Sequence, residues 1–319
     1  MIDPFGRKID YIRFSLTDRC NLRCRYCMPE GVQLLEHQDI LSYEELLTVA
    51  KTCVELGITH FKITGGEPLV RRGCPDFLEQ LKSLPGVDTV TLTTNGILLE
   101  PMLPELKRIG IDGINISLDT LDREQYARIA GMDRLETVLN SIRSCAAEGL
   151  KTKLNCVLLT ENERQLVPLV EFADSLGADI RFIELMPIGA GEKSSGPGWD
   201  MVLALLREHW PELHPVEEKR GFGPARYYAG EGLKIRVGTI AAVSHMFCSE
   251  CNRIRLTSTG RLKPCLCYGD SVDLRPILRS GGEGLRAAME AAISQKPASH
   301  RFYEKNGVTE RDSMNQIGG

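Results

Sequence analysis

From Tyr11 to about Leu185 the chain alternates six short β-rich runs, YIRFSL, HFKITG, TVTLTTN, GINISLD, TKLNCVLL and IRFIEL, with stretches of helical period. No other feature restricts the fold as much. Such alternation, with connections long enough for right-handed crossovers, builds a parallel sheet covered by helices. The spacing predicts helices over 42–56, 75–84, 101–109, 135–148 and 163–176, several opened by Ser or Pro and closed near Gly. The strand candidates end in Thr64-Gly65-Gly66-Glu67, Thr93-Thr94-Asn95-Gly96 and Ser117-Leu118-Asp119. In barrels and open α/β sheets alike, that edge is where ligands bind.

After Met186 the pattern changes. GAGEKSSGPG reads as a flexible loop or linker, a helix is expected over 199–210, and ARYYA and LKIRVG are strand-like. The expectation is an α/β chain: an incomplete (βα)6 TIM-like barrel over residues 1–190, then a smaller C-terminal α+β domain over 191–319 that covers the opening. Gly281-Gly282-Glu283-Gly284 opens no strand-led unit and is not a dinucleotide loop. The 39 basic and 43 acidic residues leave a net charge of -4, a field that draws in neither DNA nor an anionic membrane. An anionic ligand would need a local basic pocket. The N-terminus MIDPFGRKIDYIRF lacks the apolar core of a signal peptide, and no apolar run approaches the ~20 residues that span a bilayer. A cytoplasmic protein is therefore expected.

Eleven cysteines in a chain without an export signal point to metal or redox chemistry rather than a disulfide framework. Cys53, Cys74, Cys145 and Cys156 lie in apolar stretches and are expected to pack as small hydrophobes. Cys20-x3-Cys24-x2-Cys27 follows the first strand, and three thiolates so close can cap three irons of a cubane, leaving the fourth iron open to chelate a small molecule. A structural zinc site would want a fourth nearby Cys or His, and His37 is poorly placed for it. Cys248-x2-Cys251-x13-Cys265 is a second set of three, with Cys267 as a contestable neighbour that could complete a zinc ribbon. In Gly65-Gly66-Glu67-Pro68, the glycines let backbone approach a ligand without a Cβ in the way. The spacing Arg253-x-Arg255 puts both guanidinium groups on one face of a strand.

The x3-x2 cysteine spacing resembles the radical S-adenosylmethionine superfamily. FGR, YIRFSLTDRCNLRCRYCMPEG, GGEP, CNRIRLTSTG and the ending MNQIGG together resemble the GTP 3',8-cyclases, radical S-adenosylmethionine enzymes that open molybdenum cofactor biosynthesis. The resemblance covers nearly the whole chain and implies two [4Fe-4S] clusters, one on Cys20, Cys24 and Cys27, the other on Cys248, Cys251 and Cys265. S-adenosylmethionine would be bound by Tyr26, Gly65, Gly66, Glu67, Thr93, Ser117, Arg181 and Met186. Its 5'-deoxyadenosyl radical would take the C3' hydrogen of GTP, and C3' would then join C8 of the guanine. Arg13, Lys62, Lys153, Arg253 and Arg255 are the implied substrate contacts, with Arg71 and Arg72 behind them. Arg253, Arg255 and the tail Gly318-Gly319 are the implied catalytic group. Of the basic residues that many relatives carry before GGEP, His60 is the least convincing phosphate contact here. An external electron donor, a downstream cyclic pyranopterin monophosphate synthase and a homodimer are further expectations, with no nucleic acid or membrane partner. The rivals are a peptide-modifying radical enzyme, which usually has more C-terminal cysteines, and a non-catalytic zinc or redox-sensing module.

Overall fold

The computed structural model describes residues 1–28, 31–304 and 306–318. Its strands are β1 Tyr11–Ser15, β2 His60–Thr64, β3 Thr89–Thr94, β4 Gly113–Ser117, β5 Thr152–Leu158, β6 Asp179–Glu184, β7 His214–Val216, β8 Arg226–Ala229, β9 Val237–Ile240, β10 Arg253–Leu256, β11 Arg261–Lys263 and β12 Val272–Asp273. The helices are α1 Tyr43–Glu55, α2 Cys74–Lys82, α3 Leu103–Ile109, α4 Arg123–Ala130, α5 Leu135–Ala147, α6 Leu166–Ser175, α7 Trp199–His209, α8 Arg275–Arg279, α9 Leu285–Ser294 and α10 Met314–Ile317. β1 to β6 lie side by side in sequence order and pair in parallel, the incomplete six-unit α/β barrel expected. Among the described residues all twelve strands form one sheet, because β10 pairs parallel with β1 at one edge and β9 pairs parallel with β6 at the other. Chain beyond residue 190 thus extends the barrel sheet from both sides.

Period-two alternation sets the two faces of the barrel strands. Ile12 and Phe14, Phe61 and Ile63, Val90 and Leu92, Ile114 and Ile116, Leu154 and Cys156, Ile180 and Phe182 are buried under the helices. The residues between them turn to the concave side. Helix ends follow their caps: a capping box of Ser42 and Glu45 opens α1, and Asp122 accepts from Gln125 N to open α4, which Gly131 closes in the left-handed conformation. α4 escaped the sequence reading, and the LKIRVG strand lies further on, at Val237–Ile240. The stretch read as a flexible loop or linker is a loop anchored by buried Gly191 and Pro197. It holds a short 3-10 turn over Gly189–Lys193, and a Cβ on Gly196 would collide with the Leu158 carbonyl. Cys53, Cys74, Cys145 and Cys156 are fully buried, as packing thiols should be. No helix is long and apolar enough to cross a membrane among the described residues.

Candidate active site

The loop after β1 carries the first cysteines and is pinned by the loop after β2. Gly66 N donates to Thr17 O at 2.6 Å and Glu67 N to Arg19 O at 2.8 Å. A Cβ on Gly65 would stand 2.7 Å from the Thr17 carbonyl oxygen, and one on Gly66 2.7 Å from that of Asp18, so only glycine allows this approach. Buried Glu67 accepts from Leu69 N, from Thr94 Oγ1 at 2.8 Å and from Asn95 N at 2.7 Å. Burial outweighs those donors and lifts its carboxyl to about 7. Asn95 in turn donates to Asn21 Oδ1 at 2.7 Å and reaches Cys20 Sγ at 3.7 Å.

Burial raises the first three thiols, with Glu67 adding to it at Cys20 and neighbouring thiols at Cys24 and Cys27. Cys24 is pushed well up by burial, Cys27 and Asp119, and Cys27 reaches about 12 through burial, Cys20 and Asp119. Three thiolates cannot share this space without a strongly cationic partner, which is what a cluster's irons supply. No three His, Cys, Asp or Glu side chains among the described residues converge as ligands of a single ion. A cubane presents separate irons, one to each of three such thiolates. Tyr26, raised by its own burial, donates to Asp119 Oδ2 at 2.8 Å, while Asp119 Oδ1 accepts from Val157 N. Burial sets Asp119 at about 6. Thr93 and Ser117 occupy concave-side positions near the ends of β3 and β4. Met186 packs with Ile188, Leu266, Cys267, Phe302 and Ile317.

Between the two cysteine sets, the concave face is basic. Arg13 pairs in register with Lys62 on one side and Arg255 on the other, while Lys153 and Arg181 come from β5 and β6. Burial lowers the pKa of Arg13, Lys62 and Arg255, and neighbouring cations add to it: Arg253 and Arg181 act on Arg13, and Arg181, Arg13 and Lys153 on Lys62. That Arg181 of β6 acts on Lys62 of β2 requires the sheet to curl. Lys153 falls to about 8 through burial and then Arg181. Arg181 rests on neutral acceptors, Asn155 Oδ1 at 3.0 Å and Asn115 Oδ1. Asp179, which acts on Lys153 in the opposite sense, is already paired with Arg220 at 2.9 Å. A polyanion is the ligand that such a surface fits.

The structure sorts the remaining candidates. Gly318 reaches the concave side: its carbonyl accepts from Arg255 Nη1 at 2.7 Å, and a Cβ there would stand 3.0 Å from Ser15 Cβ. Gly319 lies outside the described residues. His60 sits at the far end of β2, bonded to Thr89 Oγ1 and stacked on Phe222 at 3.5 Å. Arg71 braces the first loop instead of lining the cavity, donating to the Leu16 and Leu41 carbonyls with Tyr43 against its guanidinium.

Cys248, Cys251 and Cys265 form the second set, just before β10 and just after β11. Burial would raise Cys251, but Arg253 and Lys296 beside it bring its thiol down to about 6. Cys248 Sγ accepts from His300 N at 3.4 Å. Cys267 is fully buried, where its sulfur accepts from Arg301 N at 3.5 Å and donates to Gly307 O at 3.6 Å.

Two family models match consecutive parts of the chain, the Radical SAM superfamily over residues 14–173 and Molybdenum Cofactor Synthesis C over 178–302. A GTP 3',8-cyclase of Clostridium perfringens (strain 13 / Type A) is 40% identical, with 100% of both chains covered. One of Paracoccus denitrificans (strain Pd 1222) is 42% identical over 100% of this chain and 96% of its own length. The chain belongs to the GTP 3',8-cyclase family. In this cyclase-family chain, the radical S-adenosylmethionine part runs from β1 to α6 and the second part holds the added strands and cysteines. The fold resembles that of SuiB of Streptococcus suis, solved bound to S-adenosylmethionine, with a TM-score of 0.68 at 14% identity over 98% of this chain and 78% of that one. Sequence reading missed Asn95, Asp119 and Lys296. Asn95 and Asp119 stood in the quoted strand ends, whereas nothing about Lys296 marks it in the sequence.

Proposed function

We propose that the chain is a radical S-adenosylmethionine enzyme that converts GTP to (8S)-3',8-cyclo-7,8-dihydroguanosine 5'-triphosphate, the first step of molybdenum cofactor biosynthesis. The observation that carries this is the convergence of Arg13, Lys62, Lys153, Arg253 and Arg255 on the concave face between two cysteine triads. A triphosphate is the part of GTP that needs them. When bound, a reduced iron-sulfur cluster with S-adenosylmethionine supplies the carbon radical chemistry that removes hydrogen from C3'.

Cys20, Cys24 and Cys27 would hold that cluster, and Cys248, Cys251 and Cys265 a second [4Fe-4S] cluster facing the guanine. Cys267, with its sulfur already bonded to backbone, is left as a packing residue. Gly65 and Gly66 fix the first loop, and Glu67, Thr93, Ser117, Arg181, Met186 and Tyr26 line the cofactor's side. The chain's own residues orient: the cations clamp the phosphates, which fixes C3' and C8 relative to the cofactor, and the tail at Gly318 narrows access for water. In this reading residues 1–190 are the barrel unit and 191–319 the unit that brings the second triad, with an external electron donor, a homodimer and a downstream pyranopterin-forming synthase as partners.

The test is anaerobic reconstitution with iron and sulfide, then incubation with GTP, S-adenosylmethionine and reductant. Two cubanes per chain, 5'-deoxyadenosine and a product isobaric with GTP are expected. Colourless stoichiometric zinc, or 5'-deoxyadenosine with unaltered GTP, would overturn the reading.

A further inference from the structure

Lys296, one residue past the turn that closes α9, is 4% exposed although it is a lysine. Its ammonium has three protons to donate, and all three have acceptors. They go to Cys251 Sγ at 3.5 Å, Arg253 O at 2.7 Å and Pro264 O at 2.7 Å. Arg253 stands two residues after Cys251, and Pro264 immediately precedes Cys265. One buried cation therefore ties together the two segments that carry Cys251 and Cys265 and donates directly to a sulfur.

The loop holding Lys296 is itself fixed. Arg7, whose Nε meets Asp3 Oδ2 at 2.6 Å, donates to the carbonyls of Pro297 at 2.7 Å, Ala298 at 3.0 Å and Cys248 at 2.8 Å. At the loop's end, His300 N donates to Cys248 Sγ at 3.4 Å. Segment 296–300 thus delivers N–H groups to two of the three sulfurs. Arg253, the other cation beside Cys251 Sγ, is 3.9 Å away and also faces the phosphate-binding cavity. Lys296, with all three N–H groups donated within the protein, has none left for a ligand.

We propose that Lys296 is the positioning residue of the second cysteine triad and holds up the reduction potential of the cluster bound there. The inference rests on the proposed assignment of Cys248, Cys251 and Cys265 as ligands. A hydrogen bond to a ligating sulfur and a fixed positive charge both stabilise the state with the extra electron, so removing them lowers the potential.

The experiment uses the full chain with Cys20, Cys24 and Cys27 changed to alanine, so that any remaining cluster is the second. Iron content and an EPR-monitored redox titration are compared for this parent, Lys296→Met and Lys296→Arg. The inference expects a lower midpoint potential in Lys296→Met and a value near the parent's in Lys296→Arg. Loss of the cluster in Lys296→Met but not in Lys296→Arg supports it too, because the cation is then what the site requires. Full iron with the parent's potential in Lys296→Met overturns it, as does equal loss in both variants. Cys251→Ala in the same background serves as the separate check: if it keeps its iron, the ligand assignment fails, whatever Lys296 does.

Discussion

Gly66 has no side chain because the Asp18 and Arg19 backbone occupies the space where one would be. Gly66→Ala is expected to push the first cysteine loop off its hydrogen bonds and weaken S-adenosylmethionine binding at least tenfold, about 1.4 kcal/mol. Equilibrium dialysis would measure it, with iron at the second triad as the control; wild-type affinity would show that the loop yields. Lys153 offers a pH test. Burial and Arg181 hold its pKa near 8, below the value of an unfolded lysine, so the folded chain binds fewer protons than the unfolded one above pH 8. By linkage, Lys153's contribution to stability rises with pH through that window. On the proposed reading GTP affinity runs the other way, because a neutral Lys153 would no longer attract phosphate. Affinity should fall by up to tenfold per pH unit above 8, and Lys153→Arg should move that fall to higher pH. Calorimetry of both proteins from pH 7 to 10 decides it, and coincident profiles would remove Lys153 from the phosphate site.

At the scale of elements, β10 carries much of the argument, because it joins the edge of β1 and sets Arg255 beside Arg13. Charge-assisted contacts contribute about 1.5–3 kcal/mol each, so Arg253→Ala and Arg255→Ala should each weaken GTP binding roughly tenfold or more without loss of iron. Unaltered affinity in the double variant would reduce the pair to a charged face. The projection of both arginines was legible from their spacing, as were β1 to β6 from their apolar alternation and the glycine pair from its place at a strand end. The pairing of β10 with β1 was not, since a partner some 240 residues away leaves no periodic signal. α4 was missed because half of its run REQYARIA is polar and the run is short, with Tyr126, Ile129 and Ala130 as its buried residues. The strand expected in LKIRVG begins only at Val237, where the ladders to β6 and β8 start, and Gly238 within it leaves room for the Arg181 side chain. Lys296 shows the same limit at a single residue: a lysine near a chain end reads as solvated until tertiary contacts bury it.

Across the whole molecule, the C-terminal segment is the physical link between the two triads. Thr309 N and Glu310 N donate to Cys267 O beside the second triad, Arg261 meets Asp312 at 3.3 Å, and Asn315 Nδ2 donates to Asp18 O in the first cysteine loop. Gly318 then meets Arg255. Along this path Lys263 on β11 forms a buried ion pair with Glu310 at 2.5 Å, with side chains 0% and 2% exposed. Glu310 also accepts from the backbone of Arg311 and Asp312, which shapes the turn into the tail. Removing one partner of a buried pair costs about 3–5 kcal/mol, because the other charge is left in a dry site. Glu310→Ala should therefore release the segment. Amide exchange over 309–317 should rise by orders of magnitude, and product yield should drop, as it should also on deletion of Gly318 and Gly319, while iron content and S-adenosylmethionine binding persist. Replacing both partners with apolar residues, Lys263→Met with Glu310→Leu, removes the unpaired charge and should restore thermal stability. If the tail docks through its apolar contacts at Ile317, that double variant should also recover exchange protection and turnover. Protected tail amides in Glu310→Ala would show instead that the ion pair is not what holds the segment across the two sites.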